Sequence, residues 1–435
     1  MSGFVLGLYS GLMRLAQPLL RRKLARRAVQ ESGYGEAVDE RFGRYTQPRE
    51  TSSSLVWLHA VSLGETRTAA VLLKALREQY PGLRILLTHG TATGRAEGKA
   101  LLQPGDIQVW LPWDTHVVVE RFFEHFKPRL GLLMETEVWP CTVASAKGHG
   151  ISLVLVNGRL SEKSLQQALT MSPLAYPTFA ALTAVYAQTA LDAKRFRQLG
   201  VEVAGVFGNL KFDTAPSADQ QATGKAWRNA LKQPVIMFAS SRDGEEALFL
   251  EKIKTMAQQI RVQAATDSEA CKYLIVPRHP QRFDEVAALV TQHGLKLSRR
   301  SSWSGCPFFN IEAMQADLWL GDTLGEMSLY YALSDVALLG GSFEKLGGQN
   351  LIEAAACGCP VVMGPHTFNF DEAAELAEAS GAAQRVTNMA DALQTAIKLV
   401  RDSAAQNLAA SSALAFSASH QGATQRTVNA LAAYL

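Results

Sequence analysis

The sequence predicts an α/β protein built from two doubly wound, parallel-sheet domains. Three observations carry that expectation. Short apolar runs alternate with longer helical stretches along most of the chain, the pattern of strands buried on both faces. The series stops at a polar stretch, Asp213 to Thr223, and then restarts. Finally, 435 residues are too many for one ordinary core and suit two domains.

The first series opens with Leu55–Ala60 as a strand, a helix over Glu65–Gln79 and a strand over Arg84–Thr88. Val109–Pro112, Leu130–Met134 and Ser152–Val156 continue it, and Val185–Gln188 and Val203–Gly205 close it. The second series runs through Val235–Ala239, Tyr273–Val276, Leu295–Leu297, Leu318–Leu320, Val336–Leu339 and Pro360–Met363. Strand–helix alternation implies parallel sheets covered on both faces. The expected limits are a Rossmann-like domain over 31–207, a linker over 208–222 and a second Rossmann-like domain over 223–403. An Ala-, Ser- and Gln-rich helix over 404–435 packs back on the first domain in this reading. Ligands of such folds sit at the carboxyl ends of strands, here in a central cleft faced by both sheets.

Residues 1–30 stand apart. Met1 to Leu20 is mostly apolar but is broken by Arg14 and Pro18, and Arg21-Arg22-Lys23 and Arg26-Arg27 follow. A spanning helix needs about 20 apolar residues. A cleavable signal places positive charge before its apolar run, not after. The expectation is an interfacial anchor, apolar residues in one leaflet and the basic cluster on anionic head groups. The alternative is an amphipathic helix packed on the protein's own body.

The net charge is +3. With no zinc-like Cys/His spacing, RNP-type aromatic pattern or long basic stripe, nucleic-acid binding is not expected. Cys141, Cys271, Cys306, Cys357 and Cys359 form an odd, scattered set, which reads as free thiols in a reducing compartment. There is no Asp-x-Asp, P-loop lysine motif or Gly-x-Ser-x-Gly elbow. No metal and no cofactor are expected.

Several strand ends carry groups suited to chemistry. Gly340 to Glu353 follows the strand Val336–Leu339 and leads into helix. A glycine-rich turn before a helix start can offer backbone N–H groups to a phosphate, with Gly341 and Ser342 in that turn. It equally suits a tight connection that needs backbone room. Ser62-Leu63-Gly64-Glu65 lies where the first strand turns into helix, so Glu65 is placed either as a general base or as a favourable acid in a first turn. Both readings expect the helix field to favour its ionised form. Glu135 and Glu137 follow a buried strand beside Trp139, and Arg159 ends another, placed to pair with either carboxylate or to hold an anion. In the second half, Arg278 in Val276-Pro277-Arg278-His279-Pro280, the turn Gly321 to Met327, and Ser240 and Ser241 all sit at strand ends.

These pieces, taken in order, resemble the Kdo (3-deoxy-D-manno-oct-2-ulosonic acid) transferases, inverting glycosyltransferases of the GT-B fold. The resemblance runs through Leu58 to Glu65, Met134 to Pro140, Asn157 to Ser161, Gly208 to Asp213, Pro277 to Phe283, Gly321 to Glu326, Gly340 to Glu353 and Gly364 to Phe370. It implies CMP-Kdo as donor, the lipid A precursor as acceptor, and work at the cytoplasmic face of a bacterial inner membrane. By position it implies Glu65 as catalytic base. It implies CMP contacts from Pro277, Arg278, Leu324, Gly325, Glu326, Asn350, Leu351, Ile352 and Glu353. Ser240, Ser241, Gly341 and Ser342 would support the donor phosphate. Ser62, Gly64, Glu135, Glu137, Arg159 and Lys211 would meet the acceptor or Kdo. Gly158 stands where Ala is usual, Cys141 where Asn is common, and Ser241-Arg242-Asp243-Gly244 replaces a Thr-His-Glu-Gly type sequence. Two alternatives remain: another GT-B enzyme using a UDP-sugar, as transferase or 2-epimerase, and a nucleotide-binding scaffold. Intact Glu65, Arg278, Asn350 and Glu353 argue against the scaffold.

Overall fold

The structure, a computed structural model, describes residues 3–51, 54–262 and 271–435. Met1 and Ser2, the start of the expected membrane segment, lie outside the described residues. The chain divides into two compact units, Met1–Asp213 with Gln421–Leu435, and Thr214–His420.

In the first unit seven parallel strands are formed: β1 (Leu55–His59), β2 (Arg84–His89), β3 (Ile107–Trp110), β4 (Leu130–Met134), β5 (Ser152–Gly158), β6 (Ala184–Ala187) and β7 (Val203–Val206). They lie in the order β3-β2-β1-β4-β5-β6-β7. The order reverses between β1 and β4, and in doubly wound sheets the ligand crevice opens at that switch point. All five residues of β1 are buried. Trp57 faces one side, edge-on to Phe122 at 5.2 Å; Val56 and Leu58 face the other, in one cluster with Leu72, Leu73 and Leu76. This two-sided burial is why the strand reads as a continuous apolar run.

The second unit repeats the plan with β8 (Val235–Ser241), β9 (Lys272–Pro277), β10 (Leu297–Arg299), β11 (Leu318–Leu320), β12 (Val336–Leu339), β13 (Val361–Met363) and β14 (Ala383–Arg385). Their order is β10-β11-β9-β8-β12-β13-β14, which puts the switch point between β8 and β12. The end of β12 needs glycine: a Cβ on Gly340 would lie 2.2 Å from the Ser240 carbonyl oxygen. β14 is absent from the sequence reading because Gln384 and Arg385 break any apolar run.

The tail is two helices, not one. Ser403–His420 belongs to the second unit and Ala423–Leu431 to the first. Gly422 breaks them in the left-handed region at φ +92°, and the Asp213 carboxylate accepts the N–H groups of Gly422 and Thr424. The expected linker 208–222 contains a 3-10 turn over Leu210–Asp213 and the start of the helix Ala218–Ala230.

At the N-terminus, α1 (Gly3–Leu15) and α2 (Gln17–Gln30) follow one another. The Ser10 hydroxyl accepts the His116 N–H at 2.9 Å. The Met13 carbonyl accepts the Trp113 indole N–H at 3.3 Å. Leu6 and Tyr9 pack on the core, and the Arg21 guanidinium lies 3.6 Å over the Phe42 ring. Phe4, Leu8, Leu12, Leu15 and Leu19 stay exposed, Phe4 by 80% and Leu15 by 79%. Helical spacing gathers them into one stripe. Among the described residues no helix is long and apolar enough to cross a membrane.

Candidate active site

β1 leads through a short turn into α3 (Leu63–Gln79), whose start carries Glu65. Ser62 is extended and caps α3, its hydroxyl accepting the Glu65 N–H at 3.3 Å. The Glu65 carboxylate reaches back, accepting the Ser62 hydroxyl at 2.9 Å and the Val61 N–H at 3.0 Å. This is a capping box, with the return bond one residue before the cap. Two hydrogen bonds to a carboxylate favour its charged form. Burial outweighs them and, with the negative charges of Glu135 and Glu137, pushes the Glu65 carboxyl up to about 7. The expectation that the helix field would decide its state is corrected: desolvation does. Gly64 beside it is exposed, and a Cβ there would meet only the Ser62 hydroxyl, at 3.9 Å.

β1 and β4 run in register, His59 beside Leu133, so Glu135 emerges at the level of this turn. Glu135 and Asn157 both hold left-handed backbones, φ +56° and +53°. For non-glycine residues such strain clusters at functional sites. The turn at Glu135 also removes the strand alternation that would set Glu135 and Glu137 on one face. Lys211 donates to Glu135 at 3.2 Å, so the partner is Lys211 and not Arg159. Leu210, next to Lys211, is fixed by donating its N–H to the Asn157 side chain at 3.0 Å. Glu137 accepts the Trp139 indole N–H at 2.9 Å, and burial raises its carboxyl. The backbone of Arg159 is tied to the same loop, its N–H on the Glu135 carbonyl at 3.3 Å. Among the described residues no carboxylate pairs with its guanidinium.

The second unit gathers cations at the ends of β8 and β9. The Arg278 N–H donates to the Ser241 carbonyl at 3.0 Å, and its Nε to Gln349 at 3.1 Å. The His279 ring is held below its ordinary value by burial and then by Arg242, Arg278 and Arg282. Arg282 is neutralised by Glu246 at 2.6 Å, Glu285 at 3.0 Å and Asp243 at 3.2 Å. Ser240, at φ +55°, turns the chain out of β8. Past β11, Glu326 accepts from Arg300 at 2.8 Å and from the Thr323 hydroxyl. Gly325 is left-handed at φ +78° and Leu324 is exposed. Asn350 accepts the Ile352 N–H at 3.0 Å, and Glu353 accepts the Ser328 hydroxyl at 3.2 Å.

The family model described as 3-deoxy-D-manno-octulosonic-acid transferase (kdotransferase) matches residues 36–214. The 3-deoxy-D-manno-octulosonic acid transferase of Bordetella pertussis is 45% identical over 436 residues, covering 99% of each chain. This chain belongs to the Kdo transferase family. The Haemophilus influenzae transferase of the same name is 30% identical over 433 residues, 98% of each. The UDP-GlcNAc 2-epimerase of Neisseria meningitidis, a solved structure, superposes with a TM-score of 0.54 at 13% identity, over 87% of this chain and 100% of its own. That likeness shows the fold, the GT-B architecture of two Rossmann-like units. As a Kdo transferase the protein is a glycosyltransferase, and the family resemblance read from its motifs holds.

Three residues expected to support the donor phosphate in this transferase serve the fold. The buried Glu245 carboxylate occupies the glycine-rich turn, accepting N–H groups from Gly341 at 2.7 Å, Phe343 at 3.1 Å and Glu344 at 3.4 Å. A side-chain carboxyl group already occupies the N–H groups expected to meet a phosphate. Ser342 is fully buried, donating to the Leu339 carbonyl at 2.5 Å and accepting the Gly364 N–H at 2.8 Å. Ser241 is buried too and donates to Glu246 at 3.0 Å. Leu351 and Ile352 bury their side chains, and the helix they open, Ile352–Ala356, is short. Any contact they make with a nucleotide is through backbone. Arg242, not chosen from the sequence, is close enough to the His279 ring to help hold it down, as Arg278 and Arg282 do; its signal was position, next to Ser241 at the end of β8.

Proposed function

We propose that this transferase moves Kdo from CMP-Kdo to the lipid A precursor with inversion, using Glu65 as general base. The observation that carries the reading is Glu65 itself, a half-buried carboxyl at the sheet's switch point with its proton balanced at about 7. A base is most effective when its pKa lies near the working pH. Glu65 takes the proton of the acceptor's primary hydroxyl as that oxygen attacks the anomeric carbon of Kdo. The bond from that carbon to the CMP phosphate oxygen breaks, and its electron pair leaves with CMP. Attack opposite the leaving group inverts the centre. The charge growing on the phosphate is met by Arg242 and Arg278, so the step as proposed needs no metal and no cofactor. Donor contacts are assigned to Pro277, Arg278, Leu324 to Glu326 and Asn350 to Glu353; acceptor and Kdo contacts to Ser62, Gly64, Glu135, Glu137, Arg159 and Lys211. The exposed apolar stripe of α1 and α2, followed by exposed Arg22, Lys23 and Arg26, supports docking on the cytoplasmic face of the inner membrane.

The test is a transfer assay with purified protein, detergent-dispersed lipid A precursor and CMP-Kdo generated in place, read by mass spectrometry. The expected result is a mass gain of one or more Kdo units. No gain, with acceptor intact and CMP shown to bind, overturns the assignment of substrates.

A further inference from the structure

The capping box leaves one end of the Glu65 hydrogen-bond system unexplained, the far side of the peptide that holds it. The Val61 N–H that binds the Glu65 carboxylate at 3.0 Å belongs to the same peptide group as the Ala60 carbonyl. That carbonyl lies 2.9 Å from Nδ1 of His89, the last residue of β2. A carbonyl oxygen only accepts, so Nδ1 carries the proton. We infer that His89 is a positioning residue for Glu65, acting through the single peptide Ala60–Val61: its Nδ1–H holds the carbonyl, and the N–H at the other end holds the carboxylate. The catalytic meaning of this relay rests on Glu65 being the base; the relay itself does not.

The surroundings fit a fixed donor. His89 is fully buried. Its Nδ1 also lies 3.3 Å from the Thr66 hydroxyl, which donates to the Ser62 carbonyl at 2.8 Å. Among the described residues its Nε2 is buried without a hydrogen-bond partner, which suits an unprotonated ring nitrogen better than an N–H donor. The ring has no room to turn. In the helix α4 (Ala92–Lys99), a Cβ on Gly98 would stand 2.3 Å from Nε2. The next peptide is pinned independently: the Val61 carbonyl accepts from Gly90 N–H at 3.1 Å, Thr91 N–H at 3.0 Å and the Thr91 hydroxyl at 3.0 Å. Both sides of Val61 are thus held from the loop after β2, and its N–H cannot swing away from Glu65.

A hydrogen bond to a peptide carbonyl polarises the peptide and strengthens its N–H as a donor. His89 therefore steadies the charged form of Glu65 against its burial. The ring does not itself titrate near neutrality, since burial and Arg95 hold it down at about 4. His59 on β1, also buried, is lower still at about 3. Glu65 is faced by Glu135 and Glu137, which raise it, with Lys211 drawn to Glu135. His89 is the neutral donor set against those carboxylates.

The experiment titrates Glu65 directly, by the ¹³Cδ resonance of labelled glutamate in the full chain, with Glu65→Gln to assign the signal. His89→Leu keeps the bulk and removes the donor. Its Glu65 should titrate roughly half a unit or more higher, and the acidic limb of kcat/KM should move with it. His89→Asn offers an amide N–H in the place of Nδ1 and should return both to the wild-type position. Gly98→Ala displaces the ring without altering it and should shift Glu65 upward as His89→Leu does. An unchanged Glu65 titration in folded His89→Leu or Gly98→Ala, or an equal rise in His89→Asn, overturns the relay. Transfer surviving in Glu65→Gln would remove the base reading and leave the titration result standing, so the two failures are told apart.

Discussion

The carboxylate of Glu245 accepts the Gly341 N–H at 2.7 Å, and with it the N–H groups of Phe343 and Glu344 and that of Arg242 at 3.1 Å. A single buried acid thereby fastens the turn after β12 to the turn after β8. Truncating it strands the buried Gly341 donor and three partly buried ones at once, and an unmet buried group costs about 1–3 kcal/mol. Glu245→Ala should lose about 3 kcal/mol or more of stability, read by urea unfolding of the purified protein. A loss under about 1 kcal/mol would mean that the turn holds itself.

Glu65 gives a prediction in catalysis and another in stability. Glu65→Ala and Glu65→Gln should keep CMP binding and lose roughly 10²–10⁴-fold in transfer. In the wild type, kcat/KM should fall as pH drops through about 7, where the base becomes protonated. The stability effect has the opposite sense. A carboxyl raised from 4.5 to about 7 binds its proton more tightly when folded. The folded state therefore loses stability as pH rises between those values. Glu65→Gln should gain in melting temperature relative to wild type at pH 8 more than at pH 5. An equal difference at both pH values would show that burial does not raise this carboxyl.

The neighbours of Glu65 offer opposite tests. Glu135→Gln removes a negative charge and should move the acidic limb of kcat/KM to lower pH. Lys211→Met leaves Glu135 without its ammonium and should move it higher. A half-unit shift is about a threefold change in rate on the limb. Shifts of the same sign in both variants would exclude an electrostatic cause.

Some of this was legible in the sequence and some was not, for reasons of range. Leu130–Met134 and Val336–Leu339 read correctly because strands buried on both faces are apolar at every position. Ser62 and Glu65 were legible because a capping box is local. The proton affinity of Glu65 was not, because the burial that mainly raises it, and then the charges of Glu135 and Glu137, arise only from packing and from the pairing of β1 with β4. The role of Glu245 was hidden for the same reason: its partner Gly341 is 96 residues away. Lys211 displaced Arg159 beside Glu135 across 76 residues.

Arg278 is the cation proposed to hold the donor phosphate, and its Nε is braced on Gln349 at 3.1 Å. Arg278→Ala should weaken CMP binding at least about tenfold, the scale of one charge-assisted hydrogen bond. Calorimetry with CMP measures this, with circular dichroism to confirm the fold. Arg278→Lys should recover only part, because a point charge cannot both brace on Gln349 and fork to an anion. Full affinity in Arg278→Ala would move the phosphate elsewhere, with Arg242 the next residue to test.

The membrane docking proposed for the N-terminal helices can be tested apart from the chemistry. One side of α1 is fixed to its own unit through Ser10 and Met13, so charges placed on the other side should leave the fold intact. Leu8 and Leu12 lie on the exposed stripe. Burying apolar surface of this kind in an interface contributes about 25 cal/mol per Å², and a carboxylate there reverses the contribution while repelling anionic head groups. Leu8→Glu with Leu12→Glu should abolish sedimentation with vesicles containing phosphatidylglycerol while preserving transfer to detergent-dispersed acceptor. Replacing Arg22, Lys23 and Arg26 with Gln should weaken vesicle binding at low salt and matter less at high salt, because screening already removes that attraction. Vesicle binding untouched by the double glutamate variant would assign the stripe no part in docking.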